Sequence, residues 1–527
     1  MSKLFVSGAQ FPPANDIERL SKYYRGKKIF DGKQAEIYER ATKVLKDTPH
    51  ASQLQSLYVA VNLMDVLVTK PADLMVGEPP SYESGKPDTS AEQQRLNSIV
   101  EENDLTQLIH EITIGSGIRG DSWVKAYYSE RQDFSEVESL GFEVPESSPE
   151  PIIEAVDASY VFPELTRGSR KRFSAINIAW VEWVTVDNVP GIAKFALKKD
   201  ERVQEIPFLN VERHIPGYIV YERYRLYENG VDSRYDVPIS VFRIGDRVST
   251  GRKEDVIETG VNRPLVFHVP YKTVDDEWQG ISGIEKIESL LAAINDRLVQ
   301  IDFILWKHSD PTAYGPELPI DDSGGVRFGG KYIPVMKDET TPGYMVWDSQ
   351  LEGAFRELDV LLSLVFQMSE TPQWLFGTTV AGEEKGGTGT SHTDGVAIKA
   401  RFMPILSKIK RIRVHVDRAI RDALWTAMEL ENFANEGVDR FTSYEAVYPK
   451  ITWRDGIPKN DKEEAEIYQI RTGGKSTIDV KSALKRMDGV DDTKADAIIN
   501  RIDEDEKRAS DTVDASVFNG GTGGGGN

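Results

Sequence analysis

The sequence contains no cysteine, which excludes both a disulfide framework and a thiolate metal site. A chain without cysteine is typical of a reducing interior such as a cytoplasm. Long apolar runs are missing too: no stretch of about 18 apolar residues could span a bilayer, and the first residues lack the apolar run of a signal peptide. We therefore expect a soluble protein without membrane contact.

Positive charge is also scarce, since 64 Lys and Arg face 85 Asp and Glu, for a net charge of -21. Affinity for nucleic acid comes from Lys and Arg that displace counterions from phosphates. The composition argues against a protein that binds DNA over its whole surface, and any DNA contact has to be local.

What is present is the composition of a folded protein, with 39% hydrophobic and 28% charged residues in a chain of 527. This length predicts about two to four structural units or one elongated subunit. Residues 16–75 have a helical pattern, and residues 123–270 contain aromatic and β-branched runs typical of strands. Asn229-Gly230 between two such runs predicts a hairpin turn. The fold class is therefore α+β.

The most regular periodicity predicts two helices that pair as a long hairpin. The first has a capping-box pattern at Ser282 and Glu285 and a single apolar seam: Ile284, Ile287, Leu291, Ile294, Leu298, Ile301 and Leu305. The second has its box at Ser349 and Glu352, and its stripe is Leu351, Phe355, Leu358, Leu362 and Val365. The Gly- and Pro-rich residues between them predict a small β-rich tip.

A third long helix is predicted from about residue 396 to residue 431. Its stripe is Ile398, Phe402, Ile405, Ile409, Ile412, Val416, Ile420 and Leu424, and Pro404 should kink it. The segment TSYEAVYPKITWRDG predicts a late strand that returns to the N-terminal sheet. Residues 461–509 read as charged helices, and residues 510–527 as a disordered tail.

Motifs of enzymes are weak in this chain. GSGIRG, residues 115–120, follows a helical pattern and precedes a strand pattern, the reverse of a dinucleotide fingerprint, so we interpret it as a helix-to-strand turn. GGKST, residues 473–477, lacks the first glycine of a P-loop. The histidines form no tight cluster and are interpreted as surface or capping residues, so no metal and no cofactor is expected. Paired aspartates, interpreted as solvated loops, leave a two-metal nuclease open as an alternative: Asp275-Asp276, Asp321-Asp322 and Asp491-Asp492.

One basic run stands out in this acidic chain, with six cations and no acid between them. Two interpretations remain open, a solvated helix face and contact with phosphate. The candidate DNA-contact residues are Lys399, Arg401, Lys408, Lys410, Arg411 and Arg413.

The order of these elements resembles the portal proteins of tailed bacteriophages, in particular the type of siphophages of Gram-positive hosts. The resemblance lies in YYRGKKIF, TKPADLMVGEPPSYES, IHEITIGSGIRGDSWVKAYYSE, GISGIEKIESLLAAINDRLVQIDFIL, DGVAIKARFMPILSKIKR and ITWRDGIPKNDKEEAEI, which follow the family's order from about residue 23 to residue 505. It implies a noncatalytic ring, usually of twelve subunits, at one capsid vertex of the virion.

The resemblance implies a portal fold with an α/β wing, a long helical-hairpin stem, a small β-rich clip and a helical crown. The wing would be residues 1–280, the stem helices 281–309 and 350–376, and the clip 310–349. The long kinked helix and the wing's return strand would be 394–460, the crown 461–509 and the tail 510–527. Stem packing in the oligomer would rest on Ile284, Ile287, Leu291, Ile294, Leu298, Ile301, Leu305, Phe355, Leu358 and Leu362.

Residues 377–393 would be the tunnel loop, which must change shape while DNA passes. Glycine permits many backbone conformations, as this role requires. The alternative is a solvent-exposed linker. The loop residues are Thr378, Val380, Gly382, Glu383, Glu384, Lys385, Gly386, Gly387, Thr388, Gly389 and Thr390.

The partners implied are double-stranded DNA held without sequence preference, the terminase large subunit, the major capsid and scaffolding proteins, and a head-tail adaptor. DNA would be packaged through the ring and later ejected. The rival hypotheses are another homo-oligomeric structural protein with a helical-hairpin core and, third, the metal-dependent nuclease.

Overall fold

The structure is a computed structural model that describes residues 3–38, 61–134, 137, 140–143, 148–187, 203–308, 313–316, 332–335, 343–344, 351–376, 395–454, 461–488, 490 and 492–518. Within these residues, none of the helices is long and apolar enough to cross a membrane. The mixture of helices and strands confirms the α+β class.

The described helices are numbered in chain order. They are α1 (Ile17–Phe30), α2 (Gln34–Ile37), α3 (Leu63–Val76), α4 (Ala91–Glu102), α5 (Leu105–Arg119), α6 (Glu288–His308), α7 (Leu351–Met368), α8 (Gly395–Ala434), α9 (Asp461–Thr472), α10 (Val480–Asp488) and α11 (Asp492–Phe518).

The described strands are β1 (Gln10–Phe11), β2 (Ser81–Glu83), β3 (Asp121–Ser129), β4 (Glu150–Val156), β5 (Val161–Leu165), β6 (Phe173–Asp187), β7 (Val203–Ile215), β8 (Tyr218–Asp232), β9 (Ile239–Val248), β10 (Val256–Glu258), β11 (Val266–Pro270), β12 (Ala313–Pro316), β13 (Tyr332–Val335), β14 (Gly343–Tyr344) and β15 (Lys450–Thr452).

The largest sheet has the strand order β1-β9-β8-β7-β6-β5, with β10 paired to β8. One of its faces packs against α1, because Ile17 and Leu20 join the apolar side chains of β6 to β9 in one buried cluster. The predicted hairpin turn at Asn229-Gly230 is wrong. These residues lie within β8, where the register shifts between Glu228 and Val231 and Gly230 has a φ of 92°, so the glycine serves a β-bulge.

A second core lies between α8 and the three-stranded sheet β11-β3-β4, with α4 and α5 adding apolar side chains. The stripe predicted for α8 is confirmed from residue 405 onward: Ile405, Ile409, Ile412, Val416, Ile420 and Leu424 are all buried. Phe402 is partly buried against the same core, and the side chain of Ile398 lies outside the described residues. Pro404 lies within the continuous helix.

The hairpin formed by α6 and α7, called the stem hairpin below, packs its root against α3 in a third core. The first α-helix of this pair begins at Glu288 rather than at residue 281, because residues 281–287 form turns that precede it. The Ser282 hydroxyl nevertheless accepts from the Glu285 backbone N–H at 3.1 Å, as the predicted capping box requires. Ser349 lies outside the described residues.

Between the two stem helices, β12 pairs in parallel with β13 and antiparallel with β14, so the described part of this segment has the predicted β character. The late strand is β15, which pairs with β2 in a separate two-stranded sheet rather than with the largest sheet. At the C-terminal end, α11 continues to Phe518, so the tail predicted from residue 510 is wrong for residues 510–518. Residues 519–527 lie outside the described residues.

The turn after α5 joins the α/β part of the chain to the segment that enters α6. Gly120 has a φ of 94° between α5 and β3, which confirms the helix-to-strand turn predicted from GSGIRG. A Cβ at Gly120 would lie 2.4 Å from the Gly280 carbonyl oxygen, so neither glycine leaves room for a side chain. The Tyr271 N–H donates to Gly120 O at 2.8 Å, and the Gly283 N–H donates to Gly117 O at 2.8 Å.

Candidate functional site

The stem hairpin is well buried at its root and open towards its far end. Ile284, Ile287, Leu291 and Ile294 are buried together with Leu358, Leu362 and Val365 of the partner helix, in a cluster that includes Val68 of α3. Leu298 is partly buried and Ile301 is buried, but Leu305 is 50% exposed and Phe355 is 48% exposed. The sequence stripe therefore packs within one chain except at these two positions near the tip.

A second apolar stripe runs along α7 and was not predicted. Val360, Leu364 and Met368 are spaced four residues apart, so they share one side of the helix, which lies about 130° around the helix axis from the buried side. Their exposed fractions are 53%, 38% and 54%. The sequence contains this stripe as apolar residues at positions i, i+4 and i+8, but the longer stripe through Leu358 and Leu362 was the one that the periodicity predicted.

Charged contacts hold the root and the middle of the hairpin in place. Arg25 of α1 binds both Glu288, at 2.5 Å, and Asp236, at 3.1 Å, which ties the start of α6 to α1 and to the connection between β8 and β9. Arg297 of α6 binds Glu357 of α7 at 2.5 Å. These pairs are partly exposed, so each contributes on the order of 0–1 kcal/mol and fixes geometry more than stability.

The C-terminal end of α7 contacts the basic run of α8. Glu370 ends the helix with a φ of 56°, in the left-handed region that terminates helices. Both of its carboxylate oxygens accept from one Arg411 nitrogen at 2.7 Å. Arg411 therefore joins the end of α7 to α8. Residues 377–394 lie between these two helices along the chain.

Lys408 is the buried member of the basic run and contacts both α3 and Thr371, which follows α7. Its Nζ donates to Leu67 O of α3 and to Thr371 Oγ1, both at 3.3 Å. Leu67 O would normally accept from the N–H four residues later in the helix, but that residue is Pro71, which has no N–H. The Lys408 ammonium thus replaces the donor that proline removes, and its burial lowers its pKa to about 8.

The structure separates the six candidate DNA-contact residues. Arg401 and Lys410 are exposed, whereas Arg413 is half-buried, donates to Arg454 O at 3.0 Å and lies over the Trp453 ring. Lys408 is 6% exposed, so its assignment to DNA contact is wrong: an ammonium buried against Leu67 O and Thr371 Oγ1 cannot reach a phosphate. The side chain of Lys399 lies outside the described residues.

Two histidines occupy buried ionic networks, which corrects their interpretation as surface or capping residues. His268 Nε2 lies 2.6 Å from Asp121 Oδ1, and Tyr23 donates to Asp121 Oδ2 at 2.5 Å. Burial and the Asp121 carboxylate raise the pKa of Tyr23. His214 is fully buried, 3.0 Å from Glu212. Sequence spacing missed the first contact because Asp121 lies on β3 and His268 on β11, whereas Glu212 and His214 are two residues apart on β7.

The paired aspartates do not gather into a metal site in the described part of the chain, where no group of three or more suitable ligands is found. Asp275 and Asp276 are exposed in a loop, and Asp492 forms ion pairs with Lys485 at 2.6 Å and Lys481 at 3.9 Å. Asp321, Asp322 and Asp491 lie outside the described residues, as does the whole of the predicted tunnel loop, residues 377–393.

Comparison with known proteins adds one match. The family model described as "Phage portal protein, SPP1 Gp6-like" matches residues 13–147 and 336–512. These two segments contain α1, α3 to α5, α7, α8 and most of the C-terminal helices, and together they cover more than half of the chain. No curated protein matches the chain.

Proposed function

The chain belongs to the SPP1 Gp6-like family of phage portal proteins, and we propose that its copies close into a ring whose bore conducts DNA. The family is structural rather than enzymatic and is associated with the capsid vertex of the virion. The ring would have twelve subunits, as the resemblance implies. DNA would enter through it during packaging and leave through it during ejection.

The observation that supports this proposal most is the second apolar stripe of α7. An amphipathic helix normally buries one face and exposes polar residues on the other. Here Val360, Leu364 and Met368 face solvent while Leu358, Leu362 and Val365 are buried within the same chain. A helix with two apolar sides is expected where another element packs against each of them. Here α6 of the same chain covers one side, and in a ring a second copy of the chain would cover the other.

A head-to-tail ring does not require the same exposed stripe on both helices of the stem hairpin. In such a ring each subunit uses one surface towards one neighbour and a different surface towards the other. The outward stripe of α7 would pack on the neighbouring copy's α6, near the exposed Leu305. The stem hairpins would then form the narrow waist of the ring, with Phe355 closing the contact near the tip.

The remaining assignments follow from the family and the order of elements. We assign residues 310–349 to a clip that meets the terminase large subunit and later a head-tail adaptor. Residues 1–280 would form the wing and contact the major capsid and scaffolding proteins. Residues 461–509 would form the crown, and assembly would take place in the host cytoplasm.

Residues 377–393 are proposed as the tunnel loop that touches passing DNA. They follow the end of α7, which is fixed to α8 by the Glu370–Arg411 pair, and α8 begins at Gly395. Both ends of the loop would thus be held by rigid helices. The acidic chain, with exposed Lys410 and Arg401 at the start of α8, would give DNA a weak and nonspecific contact from which phosphates leave easily.

Images of the purified protein by negative-stain electron microscopy test the ring directly. We expect closed rings with a central opening in views down the axis. A monodisperse population of single subunits at micromolar concentration, under conditions that keep the protein folded, would contradict the proposal. A monomer that cleaves plasmid DNA only with Mg²⁺ would favour the nuclease instead.

A deletion tests the loop without disturbing the ring. Removing residues 383–390 should leave assembly and incorporation into procapsids unchanged, because the sequence EEKGGTGT has no large apolar side chain that a core could use. Packaging of full-length DNA, or its retention, should fail. A phage that carries the deletion and still holds a full genome at normal titre would assign the segment to a linker without function.

A further inference from the structure

A cleft of about 680 Å³ opens between β11, the start of β6 and the middle of α8. Its volume lies in the range of pockets that bind ligands or anchor side chains, about 300–1,000 Å³. It is separate from the stem hairpin and from the basic run at the start of α8. The side chains that matter for its chemistry are Phe173, Trp278, Lys171, Arg172, Arg418 and Thr273.

The floor of the cleft is aromatic and rigid. The Phe173 and Trp278 rings meet edge to face with centroids 5.7 Å apart, and the His268 ring lies 5.4 Å from Trp278. Behind them, Trp123 is fully buried and stacks on His268 at 4.6 Å. The Asp121 carboxylate holds His268 from the far side, so the floor is preorganised for an apolar or aromatic side chain.

The rim of the cleft is basic. Lys171 and Arg172 are exposed, and the Arg418 side chain is 84% exposed. Two acids, Glu277 and Asp422, also line the cleft, and Asp422 pairs with Arg418 at 3.8 Å, so Lys171 and Arg172 carry most of the positive charge of the rim. Arg263 is a fourth cation, but it is already neutralised by Glu429 and stacked on Trp425 at 3.6 Å. The cleft thus presents positive charge around an aromatic floor, on a chain whose net charge is -21.

A complementary surface exists elsewhere on the same chain, in the connection between β3 and β4. Leu140 is 64% exposed and Phe142 is 67% exposed, and Gly141 between them has a φ of 76°, as a tight turn requires. From residue 132 to residue 149 the sequence has five acids and no base: Asp133, Glu136, Glu138, Glu143 and Glu146. Two large apolar side chains therefore project from an acidic connection.

The connection and the cleft lie at opposite ends of β3. Trp123, near the start of β3, pairs with His268 at the cleft, whereas the connection follows Ser129. The nine residues of β3 span about 27 Å at 3.4 Å per residue. In the structure of one chain, Leu140 and Phe142 remain exposed, so these two side chains do not fill the cleft of their own chain.

We infer that the acidic connection of one copy, with Phe142 as its anchor, docks in the basic aromatic cleft of the neighbouring copy. The inference rests on the proposed ring, because two different surfaces that match each other build a head-to-tail assembly. Aromatic anchors in desolvated pockets, surrounded by charge pairs, are the arrangement that dominates binding at protein interfaces. This contact would join the outer parts of neighbouring subunits, apart from the stem.

Cysteine cross-linking tests the contact, and the cysteine-free chain makes it specific. A variant with Leu140→Cys and Thr273→Cys, which keeps Phe142, should give a ladder of covalent multimers on a denaturing gel after treatment with a short bis-maleimide. A ladder rather than a dimer is expected because each copy offers one anchor and one cleft. Each single variant should stay monomeric on the gel, and so should a control pair of Leu140→Cys with Val231→Cys, whose second site is exposed on β8.

The outcomes separate this contact from the ring itself. Rings that form normally while the double variant gives no ladder would overturn the contact and leave the ring standing. A double variant that is monomeric in solution and gives no ladder would count against both. A faster monomer band without a ladder would mean an internal cross-link and would also overturn the inference. Duplex DNA that abolishes the ladder at constant ionic strength would assign the cleft to nucleic acid.

Charge reversal gives a second test that leaves the core untouched. Lys171→Glu with Arg172→Glu should lower the ladder yield several-fold, since it sets acids against acids. Glu143→Lys in the same chain should restore part of the yield. Arg167→Glu, an equally exposed cation that does not line the cleft, is the matched control and should change nothing. Equal yields in all four proteins would contradict a charge-matched contact.

Discussion

The long helix α8 and the stem hairpin have similar apolar periodicity, but one chain buries them to different degrees. The α8 stripe from Ile405 to Leu424 is buried against a sheet on one side and helices on the other. The hairpin is buried only at its root, and Leu305, Phe355 and the outward stripe of α7 remain in solvent. A heptad-like seam therefore does not tell whether its partner lies in the same chain or in another.

The difference assigns the two regions different roles. The α8 helix completes the core of a single subunit, so its side chains decide whether the subunit folds. The outward face of α7 contributes little to that core, so its side chains should decide whether subunits associate. Substitutions that change folding and association separately test whether the two helices have these different roles.

The largest effect is expected from matched truncations on the two helices. In a Val360→Glu background, chosen to keep the protein monomeric, Leu424→Ala should lower the free energy of unfolding by about 2–5 kcal/mol because it leaves a cavity in a packed core. Leu364→Ala on α7 should change it by no more than about 0.5 kcal/mol. Denaturant unfolding measures both values, and equal costs would show that the comparison is wrong.

A smaller effect is expected where the two regions meet, at Lys408. Lys408→Met removes a donor from Leu67 O but also removes a buried charge, and these contributions oppose each other, so the single variant is uninformative. Pro71→Ala restores the missing N–H within α3. It should therefore stabilise the Lys408→Met protein more than the wild type, by about 1 kcal/mol in a double-mutant cycle. Additive effects would contradict the proposed replacement of the proline donor.

The titration of Lys408 gives a pH dependence of known sign. Burial lowers its pKa from 10.5 to about 8, so between these values the unfolded chain binds a proton that the folded chain has released. Stability then rises with pH in this window. The stability of the wild type relative to Lys408→Met should be constant below about pH 8 and increase towards pH 10.5, as measured by urea unfolding at each pH. A decrease over this window would mean that the ammonium is stabilised where it lies.

The smallest effect concerns DNA. Lys410 is exposed on α8 whereas Lys408 is buried, so only Lys410 can contribute to counterion release. Lys410→Ala should reduce the slope of log affinity against log salt by about 1, and Lys408→Ala should leave it unchanged. Fluorescence anisotropy with duplex DNA across a salt series measures the slopes. A larger change for Lys408→Ala would contradict their separation by burial.

Local patterns in the sequence predicted the helices well, because their periodicity is set by residues four positions apart or fewer. The α8 stripe, the seam of α6 and the turn at Gly120 all follow from such spacing. The start of α6 was placed too early because Ile284 and Ile287 continue the seam although they lie in turns. Ile284 and Ile287 are apolar because they are buried, although the backbone there is not α-helical.

Features that depend on distant contacts could not be predicted in this way. Gly230 has the residue type of a hairpin turn, but β9 pairs with β8 on both sides of it, at Glu228 and at Val231, and converts the turn into a bulge. Lys408 belongs to a basic run by sequence, yet Pro71, more than 300 positions earlier, decides its role. The Asp121–His268 contact likewise joins two strands that are distant along the chain.

The central claim is that the outward stripe of α7 is closed by another copy of the chain. The most direct measurement compares the solution mass of the wild type with that of Val360→Glu/Leu364→Glu, by sedimentation velocity at micromolar concentration. The account predicts a large closed assembly for the wild type and a folded single subunit for the variant, with the exposed Val256→Glu on β10 as a control that still assembles. A variant that keeps the mass of the wild type would contradict it.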